Sequence, residues 1–289
     1  MRRRTMSILV VGLLCTGILL SLMTRSMAAA DDAVILADKA LMKAFDKNDK
    51  AMLDKYLDKD FSWVDPDGIM VERDDALALG MKPVVGDGSG VQVRENKIGD
   101  QVVWLHVTDG NKYVGRLWVK RAAGWKLLHN TEIVTRPQKE QITVRSTYPI
   151  PCINPCQKVP FKPRDKMQAA VLTDWQHQIS SREQFLTHVD DDQSMVTTYG
   201  GETLPKKIRM AGPAEPNAGP AVGSSPVLWM RMWTFAPDTV VMLACQPGYG
   251  QKAYWSSRVF HYQHGFWQMM ESYHNTIQAA GVMTEVEGK

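Results

Sequence analysis

Two histidines and one glutamate are the residues of this chain best placed for acid–base chemistry. Strand alternation puts Trp125, Leu127 and His129 on one face. A later segment repeats the pattern with Trp267, Met269 and Glu271, and Tyr273 follows on the same face. His261 lies on the preceding strand, diagonally across from Glu271 and within side-chain reach. A histidine beside a carboxylate, buried among apolar groups, makes a general base near neutral pH. The competing reading is a satisfied polar pair in the core or at its rim. His129, His261 and Glu271 are therefore the catalytic candidates, and Trp63, Asp65, Trp125, Trp267 and Tyr273 the ligand-binding candidates. Asp65 has a second reading, as the residue that turns the chain around Pro66. No metal or cofactor is expected. Cys152 and Cys156 lack the nearby histidine pair that four-coordinate zinc requires, and no nucleophile elbow, metal-binding helix motif or dinucleotide fingerprint is present.

The elements that must position these residues occur twice. Asn48–Gly68 aligns with Ser180–Gly200 without a gap, pairing Leu57 with Val189, Asp60 with Asp192 and Gly68 with Gly200. Val102-Val103 falls on Val240-Val241, and Arg116–Trp125 on Arg258–Trp267. Each copy reads as two helices, a short strand, a variable loop with room for a short helix, and a strand meander. Both faces of each sheet carry large apolar groups: Val103, Leu105 and Val107 oppose Trp104 and His106, and Val241, Leu243 and Cys245 oppose Val240 and Met242. Helices cover one face, and the sister copy is expected to cover the other. Trp104 and Trp118 then pack near Met242 and Phe260, with Arg116 and Arg258 on the inter-repeat face.

Residues 1–30 read as an export signal: Arg2-Arg3-Arg4, an apolar run over Ser7–Met23, then Ala28-Ala29-Ala30 as a cleavage site. Removing them takes four arginines and no acid, leaving 30 basic residues (34 less 4) against 31 acidic ones. So balanced a chain argues against a nucleic-acid surface. The oxidising compartment that export implies permits a local Cys152–Cys156 disulfide, and Cys245 reads as a small buried hydrophobe. Prolines between 137 and 162 make a semi-rigid connector between copy one, residues 31–136, and copy two, residues 163–283.

The runs Asp60-Phe61-Ser62-Trp63-Val64-Asp65-Pro66-Asp67-Gly68, Arg116–Arg121 and Gly124–His129 resemble the SnoaL-like branch of the nuclear transport factor 2-like superfamily. The resemblance implies an α+β fold: two tandem cone-shaped domains, each a curved, mostly antiparallel sheet wrapped around N-terminal helices. Its members include isomerases, dehydratases, hydrolases and binders without catalysis. The residue sets of ketosteroid isomerase and limonene epoxide hydrolase are not matched here.

The first expectation is a periplasmic or secreted protein that binds a small, mostly apolar molecule in a conical pocket, without stable membrane insertion after cleavage. The alternatives are a pocket enzyme with a histidine or carboxylate base, and an assembly protein docking to an envelope partner. Amino-terminal sequencing of the protein from the envelope fraction should begin at or near Asp31. A chain that still starts at Met1 and needs detergent for extraction would overturn the export reading.

Overall fold

The computed structural model describes residues 33–88, 90–137, 161–178, 186–211, 227–246 and 252–278. The expected export signal, the Cys152–Cys156 bridge and most of the proline-rich connector lie outside the described residues.

Copy one opens with α1 (33–47), whose buried stripe of Val34, Ala37, Leu41, Met42 and Phe45 recurs at helical spacing. Asn48 closes it in the left-handed conformation, φ 51°, which a short polar side chain tolerates. Asp49 then caps α2 (Lys50–Tyr56), its Oδ1 accepting from the Met52 amide at 3.2 Å. β1 (Leu57–Val64), β2 (Met70–Glu72) and α3 (Arg73–Leu79) lead into β3 (Gln92–Ile98), β4 (Val102–Asp109), β5 (Lys112–Arg121) and β6 (Gly124–Val134). Copy two has α4 (Lys166–Gln178), β7 (Met195–Thr197), β8 (Gly201–Glu202) and α5 (Lys206–Ala211). It closes with β9 (Trp229–Phe235), β10 (Thr239–Gln246), β11 (Tyr254–Gln263) and β12 (Phe266–Thr276).

The strands form two six-stranded sheets of one topology, β2-β1-β6-β5-β4-β3 and β8-β7-β12-β11-β10-β9. One pair in each sheet is parallel, β1 with β6 and β7 with β12. The expected tandem α+β architecture is the one observed: helices precede each sheet, and neither sheet closes into a barrel.

Register decides which residues share a face, because directly paired residues point the same way. Trp104 pairs with Leu117, and Val103 with Trp118. Trp104, Leu117 and Val119 therefore face the sister sheet, while Trp118 joins Val103 and Leu105 in the helix-side core of copy one. In copy two Val241 pairs with Val259 and Met242 with Arg258. Met242 and Phe260 accordingly lie in the helix-side core of copy two, and Val241, Leu243, Cys245 and Val259 face copy one. The sister copy does cover the second face, but Trp118, Met242, Phe260, Arg116 and Arg258 point away from it. Two slips combine. Trp118 shares the face of Val103 rather than of Trp104, which inverts Arg116 and Trp118 and, through the repeat, Arg258 and Phe260; the second slip misplaces Met242. Trp104–Leu117 corresponds to Val241–Val259, so aligning Val103 with Val241 slips β4 against β10 by one and inverts every side chain.

The contacts between copies are reciprocal, as a two-fold axis requires. The Asp65–Gly68 turn docks where β11 begins and β12 ends: Trp255 Nε1 donates to the Gly68 carbonyl at 2.9 Å and Asn275 Nδ2 to the Asp65 carbonyl at 2.8 Å. The corresponding turn of copy two docks on copy one, where the Arg136 amide donates to the Thr198 carbonyl at 2.8 Å. At the rims Arg94 of β3 meets Glu202 of β8, and Arg231 of β9 meets Glu72 of β2, at 2.6 and 2.9 Å. These rim pairs fix orientation more than they stabilise, since exposed ion pairs are worth about 0–1 kcal/mol.

Gly68 tests the docked turn. Its φ is +76°, and a Cβ there would sit 2.6 Å from the Ile277 Cα of copy two. Gly110 has a similar φ of +62° with nothing within 4 Å. Gly68→Ala should therefore cost more than Gly110→Ala in urea denaturation, by about 2 kcal/mol or more. Equal midpoints for the two variants would mean that the turn is not seated against copy two.

Candidate functional site

A β-bulge separates the predicted site residues from the cones. In copy one Leu117 pairs with His129 but Trp118 pairs with Leu127, leaving Leu128 as the extra residue. Copy two repeats it: Val259 pairs with Glu271 and Phe260 with Met269, leaving Met270. An extra residue inverts the alternation beyond it. Trp125 and Leu127 thus face the helices of copy one, as Trp267 and Met269 do in copy two, whereas His129, Glu271 and Tyr273 turn to the sister sheet. Trp63 keeps its expected place on the helix side, edge-on to Phe45 with centroids 5.3 Å apart.

At the interface the predicted catalytic groups are held by the other copy. His129 bonds the Ser62 hydroxyl through Nδ1 at 2.9 Å and the Ser257 hydroxyl of copy two through Nε2 at 2.8 Å. Burial pushes its pKa down to about 3, so the imidazole is neutral and a poor base at physiological pH. Glu271 accepts from His106 Nε2 at 2.8 Å and from Asn96 Nδ2 at 2.6 Å, both of copy one. Tyr273 bonds His106 Nδ1 at 2.8 Å and lies on Trp104, ring centroids 5.1 Å apart. Burial, with the Glu271 carboxyl nearby, holds its phenol well above the ordinary value. His261 does not meet Glu271. It pairs with Gln268, and its Nδ1 bonds the Asp238 carbonyl at 2.9 Å. Asp65 is a turn former rather than a cone residue, its Oδ1 accepting from the Asp67 and Ile69 amides at 3.0 and 2.8 Å.

The cones have polar ends of their own. In copy one Arg116 and Asn130 are a cross-strand pair, as are Val114 and Glu132, and all point to the helix side. Arg116 Nη1 donates to Asp38 Oδ2 of α1 at 2.7 Å, and Nη2 donates to the Val85 carbonyl. Trp118 Nε1 donates to the other Asp38 oxygen at 3.1 Å. Glu132 accepts from the Val84 amide at 3.1 Å and from Asn130 Nδ2 at 3.2 Å. The segment at Val84 and Val85 thus seals this end, leaving Arg116 1 % and Glu132 2 % exposed. Burial raises the Glu132 pKa to about 7, against the opposing pull of the Val84 amide, Asn130 and Arg116.

In copy two Arg258 and Ser272 pair, as do Ser256 and His274, so Arg258 matches Arg116 and His274 matches Glu132. Arg258 Nη1 donates to Gln246 Oε1 at 3.0 Å and to the Ser256 hydroxyl at 2.7 Å; Nη2 donates to His274 Nε2 at 3.1 Å. From α4 it meets the Trp175 ring, 5.7 Å from the centroid, where Arg116 meets a carboxylate. Burial, then the Arg258 charge, holds His274 well below its ordinary pKa, and the residue as a whole is half-buried. Alternation had set these residues aside because Arg116 and Arg258 were assigned to the wrong face. The available signal was two titratable residues, Glu132 and His274, at one repeat position inside buried strands.

The Glu132 carboxyl gives a pH test. Its folded pKa lies above the unfolded 4.5, so its contribution is fully present below pH 4.5 and is lost as pH rises through about 7. Glu132→Gln keeps the acceptor oxygen and removes that loss. Relative to the parent protein it should gain on the order of 3 kcal/mol between pH 4.5 and pH 8. His129 works in the opposite direction at lower pH but is common to both proteins and cancels. A stability difference that stays flat across this range in urea titrations would refute the buried, uncompensated carboxyl.

No family profile and no curated protein matches the chain. Solved structures similar to it include a nuclear transport factor 2-like protein from Cytophaga hutchinsonii. That likeness is 19% identical, covers 35% of this chain and 95% of that one, and has a TM-score of 0.28. A nuclear transport factor 2-like protein of unknown function from Silicibacter pomeroyi is 14% identical over 37% of this chain and 98% of its own, TM-score 0.31. The association domain of C. elegans CaMKII is 15% identical over 37% and 97%, TM-score 0.29. Each match spans about the length of one copy. Such low identity concerns fold alone. With its strand order repeated twice behind leading helices, the chain is a tandem pair of α+β units of one topology.

Proposed function

We propose that this is an exported protein that binds a small molecule in the cone of copy two, with copy one completing the fold as its scaffold. The difference between the two polar ends carries this reading. In copy one the end is satisfied by Asp38 and closed by Val84 and Val85. In copy two the arginine is met by His274, Gln246 and Ser256 in place of carboxylates, beside a core of Trp175, Met230, Phe260 and Trp267, and His274 is half-buried. An apolar cleft with few convergent polar groups suits binding and orientation of a small ligand.

A pocket enzyme is the second reading, and His274 is the group that favours it. Yet an imidazole held well below its ordinary pKa is a weak base, and its Nε2 is already engaged by Arg258 and Ser272. The earlier candidates His129 and Glu271 are committed to the contact between copies. Binding is therefore the better-supported reading. Export rests on the pattern in residues 1–30 alone.

Native mass spectrometry of protein purified from its producing cells tests the proposal. A retained small mass, released on denaturation and absent from a Met269→Trp variant that fills the cone, is the expected result. A bare polypeptide mass, with no thermal stabilisation by any member of a fragment library, would remove the binding reading.

A further inference from the structure

We propose that residues 81–85 form a lid over the polar end of the copy-one cone, held shut by Arg116 and Glu132 and loosened when Glu132 gives up its proton. Copy two is not involved. The segment has no helix or strand of its own, and a glycine stands at each end. Gly80 stops α3 in the left-handed conformation, φ 60°, which glycine adopts without strain. At Gly86 an added Cβ would meet nothing within 4 Å, so that pivot is clear of packing. Between the pivots, two consecutive backbone groups are held by side chains of the sheet. Arg116 Nη2 of β5 donates to the Val85 carbonyl, and the Val84 amide donates to Glu132 Oε1 of β6 at 3.1 Å. The Val85 side chain, 2 % exposed, adds an apolar anchor in the core of copy one.

The two latches differ in what a proton does to them. Arginine keeps its charge at any ordinary pH, so the Val85 latch does not titrate. Glu132 does. Trp63 of β1, Asn130 of its own strand, Arg116 of β5 and, behind Arg116, Asp38 of α1 stand around it, and the Val84 amide reaches it from the lid. With the lid shut, burial outweighs the pull of Val84, Asn130 and Arg116 toward ionisation and pushes the carboxyl up to about 7. With the lid raised, water reaches the carboxyl and its pKa falls toward the ordinary 4.5. The shut state therefore holds the proton more tightly than the open one. Its advantage is fully present below pH 4.5 and is lost as pH rises through about 7. For a carboxylate fully hydrated in the open state, opening becomes on the order of 100-fold more frequent at pH 8 than at pH 4.5.

Hydrogen exchange at the Val84 amide, corrected for the intrinsic pH dependence of amide exchange, tests the lid. In the parent protein its protection should fall roughly ten-fold or more between pH 5 and pH 8. At pH 8 it should exchange faster than the amides of β4 and β5, and its rate should be insensitive to low urea, which promotes global unfolding but not a local opening. Glu132→Gln keeps the acceptor oxygen and cannot ionise, so its Val84 protection should be the same at both pH values. A Val84 amide unprotected at pH 5, or one whose protection does not change with pH, would overturn the lid. So would an exchange rate that follows β5 at every urea concentration, because the whole copy would then be unfolding, or an equal pH-linked loss in the glutamine variant. The parent series alone can overturn the lid, whether or not the variant folds.

Discussion

The packing of one sheet against the other is the constraint on which the rest of this structure depends. Each sheet presents large apolar groups on both faces, and its own helices can cover only one. Trp104, Leu117 and Val119 of copy one and Val241, Leu243 and Val259 of copy two are buried only because the copies meet. Fully burying a side chain of this size is worth roughly 1.5–3 kcal/mol, so the interface is a third core rather than a docking contact. Neither copy has a satisfied second face by itself.

That third core also explains the polar groups within it. His106, Glu271, Tyr273 and Asn96 form one hydrogen-bonded set drawn from both copies, and His129 is held between hydroxyls of each. Apolar packing is permissive about sliding, whereas a buried donor that loses its acceptor costs about 1–3 kcal/mol. The network therefore penalises any displacement of one sheet over the other. Gly115 makes room within copy one for the ring that faces the sister sheet: a Cβ there would stand 2.7 Å from Trp104.

Much of this architecture is legible in the amino-acid order. Helical stripes, two-residue alternation and the repeat are local signals, and they place the elements and the two-domain plan. The bulges are not local in that sense. Leu128 and Met270 sit in the doublets Leu127-Leu128 and Met269-Met270, with no glycine or proline to mark an extra residue. One unseen residue carried His129 and Glu271 from the cones to the interface. Register between strands was equally hidden, because both faces are apolar and alternation alone cannot say which is which. Arg116 and Arg258 were lost to the cones for that reason. Trp63, Trp125 and Trp267 could be placed because they precede the bulges or lie on β1.

Fusing two copies into one chain changes what each cone is free to become. In a dimer of identical subunits every substitution enters both cones, and a charge removed from one is removed from the other. Here the interface keeps its reciprocal turns and rim pairs while the cone ends differ: Asp38 and Glu132 around Arg116, Trp175 and His274 around Arg258. At the copy-one end Asp38 neutralises the arginine, while the buried Glu132 carboxyl costs stability as pH rises through about 7. At the copy-two end the arginine is held, among the described residues, by the neutral acceptors Gln246, Ser256 and His274. Such a local conflict between charge and burial is expected where a site must bind something, because a pocket that satisfied all its own groups would have nothing left to recognise.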